Sequence, residues 1–166
     1  MKKDAVKFYV SGEWIKGDGD PFHSVNPANG KLIGSVCAAA EADLEHAVDG
    51  AKTALHSPEW GGLNPHERAR YLYRFGELID SNSESLSQIQ MMDNGKTISE
   101  CRQMISDAAN CFRYYAGVCE TAESIVTPSR GNYLSINISE PIGIIGAITP
   151  WNSPALLEAN KLAPIL

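Results

Sequence analysis

The sequence predicts an α/β chain in three parts: a small β-element, four helices, and the first strand and helix of a Rossmann-like unit that is left incomplete. Three observations predict it. Short β-type runs broken by Ser11-Gly12 and Asn29-Gly30 occupy the N-terminal end. Apolar residues then recur at helical spacing from Leu44 to Ala116. Finally, the near-continuous apolar run Ile142-Gly-Ile-Ile-Gly-Ala-Ile148 leads through Thr149-Pro-Trp-Asn-Ser-Pro154 into a segment of helical composition. Such a run suits a strand covered on both faces by helix layers.

Each element has its own signal. Lys7-Phe-Tyr-Val10 and Glu13-Trp-Ile-Lys16 flank Ser11-Gly12, a hairpin signature. Phe22 to Asn26 and Lys31 to Val36 flank Pro27-Ala-Asn-Gly30, whose Asn29-Gly30 favours positive φ and a reversal. Leu44, Ala47, Val48, Ala51 and Leu55 lay one stripe along a helix over 41–56. Asn64 offers an N-cap, Pro65 fits the first helical position and Glu67 can reach back to the cap. Ala69, Leu72, Phe75, Leu78 and Ile79 mark the buried face of that helix, to about residue 80. A shorter helix over 83–92 carries Leu86, Ile89 and Met92, and Asn94-Gly95 stops it. Thr97-x-x-Glu100 is a capping box opening the longest helix, with Ile98, Cys101, Ile105, Ala109, Phe112 and Ala116 along one side.

The period then changes. Thr127-Pro-Ser-Arg-Gly131 reads as a loop, and Leu134, Ile136 and Ile138 alternate with Ser135, Asn137 and Ser139, as in a strand with one wet face. A doubly wound sheet needs several parallel strands, and only the 142–148 run has that character. The 142–166 unit therefore has no sheet to join unless further sequence or another chain supplies it. The predicted organisation is 1–131, a β-hairpin and helical part; 132–140, a separate strand; and 141–166, the start of a nucleotide-binding unit.

Composition narrows the function classes. The 166 residues carry 14 Lys plus Arg against 20 Asp plus Glu, a formal charge of −6 with a pI near 5.2. No basic cluster exceeds Lys2-Lys3, which argues against nucleic-acid and anionic-membrane partners. At 43% hydrophobic the chain can build a packed core. Its longest apolar stretch, 142–148, falls far short of the roughly 20 residues that span a bilayer. Asp4 and Lys7 interrupt anything like a secretory apolar segment, so a cytoplasmic location is expected. Cys37, Cys101, Cys111 and Cys119 form no CxxC pair and have no His at metal spacing, so free thiols and no metal site are expected.

The chemistry concentrates after the apolar run. Ligands of open α/β sheets bind beyond the carboxyl ends of the strands, where Ile148-Thr149-Pro150-Trp151-Asn152 stands. Pro150 and Pro154 stiffen the turn, and Trp151 offers a broad apolar wall. Asn152 presents a neutral NH₂ donor at a helix N-terminus, where partial positive charge favours a developing oxyanion. The same residues also read as a plain helix cap (Asn152) and a core aromatic (Trp151). Gly143-x-x-Gly146 is not a dinucleotide fingerprint, and glycines in strands commonly serve close packing.

Four separated motifs occur in order: Asn26-Pro-Ala-Asn-Gly30, Asp93-Asn-Gly-Lys96, Arg113-Tyr-Tyr-Ala-Gly117, and Glu140-Pro-Ile-Gly-Ile-Ile-Gly-Ala-Ile-Thr-Pro-Trp-Asn-Ser-Pro154 with Lys161-Leu-Ala-Pro164. They resemble the "NPATG", "DNGK", "RYYAG" and "EPVGVVGxITPWNFPL…WKLAPAL" segments of the aldehyde dehydrogenase superfamily, and the resemblance covers nearly the whole chain. It implies the N-terminal part of an enzyme that oxidises an aldehyde to an acid with NAD or NADP through a cysteine thiohemiacetal. On that resemblance Ile148, Thr149, Pro150 and Trp151 contact the nicotinamide end of the cofactor. Asn152 donates to the thiohemiacetal oxyanion, and Lys161 takes the place of a relay lysine. Ser153, Leu156, Leu157 and Asn160 line the aldehyde access tunnel. Asp93, with the backbone around Ser24 and Val25, matches a structural monovalent-cation site of some members.

Ser153 stands where many members carry Phe, and Asn160 where many carry Trp. The implied tunnel is wider and wetter and suits a polar or bulky aldehyde. The family's nucleophile, general-base glutamate, ribose-binding residues and pyrophosphate turn all lie beyond residue 166, and none of the four cysteines matches the nucleophile. The chain alone is thus expected to be inactive and marginally folded, its helix stripes lacking the sheet they pack on in the family. The 133–139 strand resembles one used in oligomerisation, which implies a homo-oligomer of the full-length enzyme. Two alternatives stay open: a non-catalytic truncated subunit that only pairs with a full-length enzyme, and a semialdehyde or CoA-acylating relative.

Overall fold

A computed structural model describes residues 6–166; Lys2-Lys3 and Asp4 lie outside the described residues. Strands β1 (Phe8–Val10) and β2 (Glu13–Ile15) form an antiparallel hairpin. Both turn residues take positive φ, Ser11 at 51° and Gly12 at 87°, the twist that matches two flanking strands. Tyr9 and Trp14 pair across the ladder with ring centroids 5.2 Å apart. Strands β3 (Pro21–Val25) and β4 (Leu32–Cys37) pair likewise. Asparagines organise their connection: Asn26 Oδ1 accepts the Ala28 N–H at 2.9 Å and Asn29 Oδ1 accepts the Lys31 N–H at 3.0 Å.

Helix α1 (Glu41–His56) has the bounds the stripe predicts. The Asp43 carboxylate accepts the Asp18 N–H at 3.0 Å and the Ala40 N–H at 2.8 Å, and these backbone donors lower its pKa. The apolar stripe itself is no more than half-buried, and Leu44 is 63% exposed. Helix α2 (Pro65–Ser81) opens on a reciprocal capping box: Asn64 Oδ1 accepts the Glu67 N–H and Glu67 Oε2 accepts the Asn64 N–H, both at 3.0 Å.

Helix α4 (Ile98–Glu120) is the centre of the molecule. It buries Cys101, Ile105, Ala108, Ala109, Phe112 and Ala116, five of which the sequence placed on its buried side. Ala69 and Leu72 of α2 and Ala159 and Ala163 of α5 (Pro154–Ile165) complete one cluster with its Ala108, Phe112 and Ala116. The contacts are made by small residues, so the backbones approach closely: a Cβ added at Gly76 would stand 3.0 Å from the Ala109 carbonyl oxygen. Phe75 stacks on Phe112 with centroids 5.1 Å apart, and Arg113 of α4 pairs with Asp80 of α2.

Helix α3 (Ser83–Asn94) departs from its predicted stripe. Ser87 and Gln90 are buried against the bundle, whereas Ile89 is 55% exposed. Ser87 satisfies its hydroxyl within the helix by donating to the Ser83 carbonyl at 2.7 Å, so a small polar residue can serve as a contact point. Arg102 of α4 clasps Glu84 through two hydrogen bonds of 2.9 Å. Gly95 ends α3 at φ 76°, where its N–H donates to the Met91 carbonyl and a Cβ would come within 2.8 Å of Pro27. Ser24 Oγ donates to Asp93 Oδ1 at 2.5 Å, so the β3–β4 turn docks on the end of α3.

Two expectations about strands change. A strand β5 (Ile125–Thr127) forms just before the predicted loop and pairs antiparallel with β6 (Ser135–Asn137), the ladder-bonded part of the 133–139 run. That run is therefore one arm of a hairpin whose connection starts at Pro128, and Thr127, expected in the loop, is the last residue of β5. The 142–148 run carries no ladder hydrogen bonds, and Ile142 and Ile148 are each 93% exposed. A parallel strand exists only through its neighbours, and none lies beside this run among the described residues.

Two outcomes follow from the packing. Leu72→Ala, at a fully enclosed contact of α2 with α4, should cost about 3 kcal/mol in urea denaturation, while Leu44→Ala should stay within about 0.5 kcal/mol. The Arg102 and Gln88 side chains hold Glu84 down from 4.5 to about 2. A carboxylate depressed in the folded state contributes stability that is present above its unfolded pKa and lost as pH falls through the folded one. Stability should thus decline more steeply between about pH 4.5 and 2 than in Glu84→Gln, read from urea midpoints across that window.

Candidate active-site segment

The residues singled out after the apolar run lie at the start of α5. Ser153, not Asn152, is the residue that caps α5. Its side chain makes no cap hydrogen bond; Ser153 Oγ donates instead to the Asn152 carbonyl at 2.8 Å. Pro154 fills the first helical position, where no N–H is needed. The remaining first-turn N–H groups of α5 have no side-chain partner, so the positive end of the helix stays open. Asn152 is exposed, and its amide bonds to no other described residue. The core-aromatic reading of Trp151 also falls, since its side chain is 80% exposed. Ile148 and Pro150 are exposed and Thr149 half-buried, so the 148–151 segment offers an apolar surface beside a free amide donor.

This geometry is held from below. Ala159 and Ala163 seat α5 on α4. At its far end Arg68 Nη1 donates to the Leu166 carbonyl at 2.8 Å, and Nη2 donates to the Trp60 carbonyl at 3.0 Å. The guanidinium lies 4.5 Å over the Trp60 ring. One cation thus ties α2, the loop after α1 and the last turn of α5.

The implied tunnel residues separate. Ser153 is buried, 7% exposed, Leu157 is half-buried and Asn160 is exposed. Asn160 Oδ1 accepts the Cys111 thiol at 3.3 Å, which brings α4 to the stripe. Burial pushes the Cys111 pKa up, so its sulfur is a neutral donor near pH 7. Lys161 is exposed and makes no ion pair among the described residues. Asp93 is engaged by Ser24 as described, and no three His, Cys, Asp or Glu side chains cluster among the described residues. All four cysteines are free thiols, Cys37 and Cys101 buried, Cys111 and Cys119 half-buried. Sequence reasoning missed Arg68 and the Cys111–Asn160 contact, because both join positions far apart in the chain.

The aldehyde dehydrogenase family profile matches residues 14–166. An aldehyde dehydrogenase of Aspergillus niger is 35% identical over 159 residues, 95% of this chain and 32% of the relative. A mutant aldehyde dehydrogenase from Bacillus cereus superposes with a TM-score of 0.92 at 32% identity, covering 96% of this chain and 33% of that one. A betaine aldehyde dehydrogenase from Staphylococcus aureus, solved in complex with NAD+, gives a TM-score of 0.91 at 29% identity, with 97% and 33% coverage. The chain belongs to the aldehyde dehydrogenase family and spans about a third of the length of these relatives. Among the described residues no helix is long and apolar enough to cross a membrane.

The Arg68 clamp predicts that Arg68→Met, which keeps the apolar stem and removes both donors, will raise amide hydrogen exchange in α5 while leaving α3 unchanged. Equal protection of α5 in the two proteins would refute the clamp.

Proposed function

We propose that this chain is the N-terminal part of an NAD(P)-dependent aldehyde dehydrogenase, in which Asn152 stabilises charge on the substrate oxygen. The observation that carries the reading is the exposed Asn152 amide, which bonds to no other described residue, beside a helix N-terminus with no side-chain cap. A cysteine outside this chain attacks the aldehyde carbon, and the carbonyl oxygen takes on negative charge as the C–S bond forms. The Asn152 N–H donates to that oxygen, and the positive end of α5 favours the same charge. Asn152 is fixed in advance because Ala159, Ala163 and Arg68 hold α5, so little reorganisation accompanies the step.

The residues present fit a nicotinamide. The exposed apolar faces of Ile148 and Trp151, with Thr149 and Pro150 between them, would cover a flat ring next to the amide donor. The dinucleotide, when bound, accepts the hydride from the substrate carbon. Lys161, exposed and unpaired, is free to relay a proton at its Nζ. Ser153, Leu157 and Asn160 would face the incoming aldehyde, small and polar where large aromatics would narrow the path. The same reading divides the chain at 131 and 140. It makes the 132–140 strand an assembly element of a homo-oligomer, supported by the apolar exposure of Leu134 and Ile138 at 70% and 69%. The four free thiols support a cytoplasmic location.

In the full-length enzyme Asn152→Ala should lower kcat about 10²–10³-fold with KM little changed, measured as dinucleotide reduction. An unchanged kcat would remove Asn152 from the reaction. The 166-residue chain by itself should reduce no dinucleotide.

A further inference from the structure

The contact between Cys111 of α4 and Asn160 of α5 lies at the edge of the buried cluster that joins the two helices. Ala108 and Phe112 of α4 and Ala159 and Ala163 of α5 belong to that cluster, and Cys111 packs against it. The seat of α5 on α4 therefore sets which residues meet at this level, and positions 111 and 160 are brought together by the packing beneath them. Leu157, one turn before Asn160 on the same side of α5, is half-buried.

A carboxamide has two unlike ends, a carbonyl that accepts and an NH₂ that donates, and without a fixed partner it can turn over and present either one. The Cys111 thiol removes that freedom, because its S–H donates to Asn160 Oδ1 at 3.3 Å. Burial raises the Cys111 pKa, so the proton that makes this bond stays on sulfur near pH 7. With Oδ1 engaged, the Nδ2 hydrogens are the end left over. Asn160 is exposed, and no acceptor among the described residues takes them. A side chain whose orientation is fixed from behind by a hydrogen bond presents one chemistry to whatever approaches it.

We propose that Cys111 is a positioning residue that holds the Asn160 amide with its donor end toward the substrate. The stripe then selects aldehydes that carry a neutral hydrogen-bond acceptor, such as a ketone oxygen, remote from the reacting carbonyl. This rests on the reading of Ser153, Leu157 and Asn160 as substrate-facing. Asn160 stands six residues beyond Pro154, about 9 Å of helix rise, which places the acceptor several carbons from the aldehyde group. Leu157 covers the alkyl carbons between. An apolar end at the level of Asn160 takes water from the Nδ2 donors and returns no acceptor, so it is the poorer substrate.

The test is kcat/KM of the full-length enzyme on two matched substrates, a straight-chain aldehyde ending in an acetyl group and its isostere ending in isopropyl. The wild type prefers the ketone about threefold or more, through KM. Cys111→Ala loses most of that preference by lowering kcat/KM for the ketone, and the isostere stays within about twofold. Cys111→Ser, whose hydroxyl is the stronger donor, keeps the preference, and Asn160→Leu abolishes it. Turnover of the isostere certifies that each variant is folded. A preference absent from the wild type, or equal in the wild type and Cys111→Ala, overturns the proposal and leaves the aldehyde activity standing. An equal loss on both substrates in Cys111→Ala makes the thiol a packing group and overturns it too. If neither substrate is oxidised, the dehydrogenase reading fails, and calorimetry with hexyl methyl ketone decides the amide orientation by itself. Binding weakened about threefold in Cys111→Ala supports it, and equal or absent binding in the two proteins overturns it.

Discussion

The close approach of α2 and α5 to α4 is the constraint on which the remainder of the molecule rests. The contact surface is made of Ala69, Ala108, Ala116, Ala159 and Ala163, punctuated by Leu72 and Phe112. Small side chains bring the helix axes near enough that a Cβ at Gly76 would stand 3.0 Å from the Ala109 carbonyl oxygen, tighter than ordinary van der Waals contact. Dispersion contacts are individually weak, and a dense small-residue interface accumulates them over whole helix lengths. Its tolerance is correspondingly narrow, because an added carbon has nowhere to go.

From that interface the position of α5 and of the candidate segment ahead of it follows. Helix α5 has buried residues only at Ala159 and Ala163, apart from Ser153 at its cap, so its seat on α4 sets its direction. The Arg68 guanidinium then fixes its last turn by satisfying the Leu166 carbonyl. What is left at the opposite end is an uncapped helix N-terminus with a free amide ahead of it. An unsatisfied donor array is a liability in a structural helix and an asset where an anion is to be received. The same bundle brings Cys111 of α4 to Asn160 of α5, so one helix packing arrangement sets both the start of α5 and its polar surroundings.

Two short turns are locked together in a similar economy. The Asn26–Gly30 reversal and the Asp93–Lys96 helix stop are distant in sequence, yet Ser24 donates to Asp93 and Gly95 leaves space for Pro27. Large apolar side chains outside the bundle contrast with this order. Leu134, Ile136, Ile138, Ile142 and Ile148 stand exposed on a two-stranded ribbon and an unpaired run. A ribbon of two strands has too little buried surface for independent stability, which places those residues among surfaces made to be covered.

Local rules made the helices legible. Asn64-Pro65 with Glu67, and Thr97 with Glu100, are capping chemistry complete within four residues, and the structure shows both boxes formed. The reversal at Ser11-Gly12 and the stop at Gly95 depend only on which residues accept positive φ. The helix that starts just after Asn152 was legible as well, from Pro154 at its first position. Tertiary structure alone decided the rest. Ser87 and Gln90 displaced Ile89 from the buried side of α3, since proximity to α4 mattered more than hydrophobicity. The 142–148 run gained no ladder despite its composition, because a parallel strand is a property of its neighbours. That the Asn152 amide bonds to no other described residue is a fact about where other side chains are not. A sequence encodes local geometry residue by residue, whereas the partners left unmatched emerge only once the helices have been placed against one another.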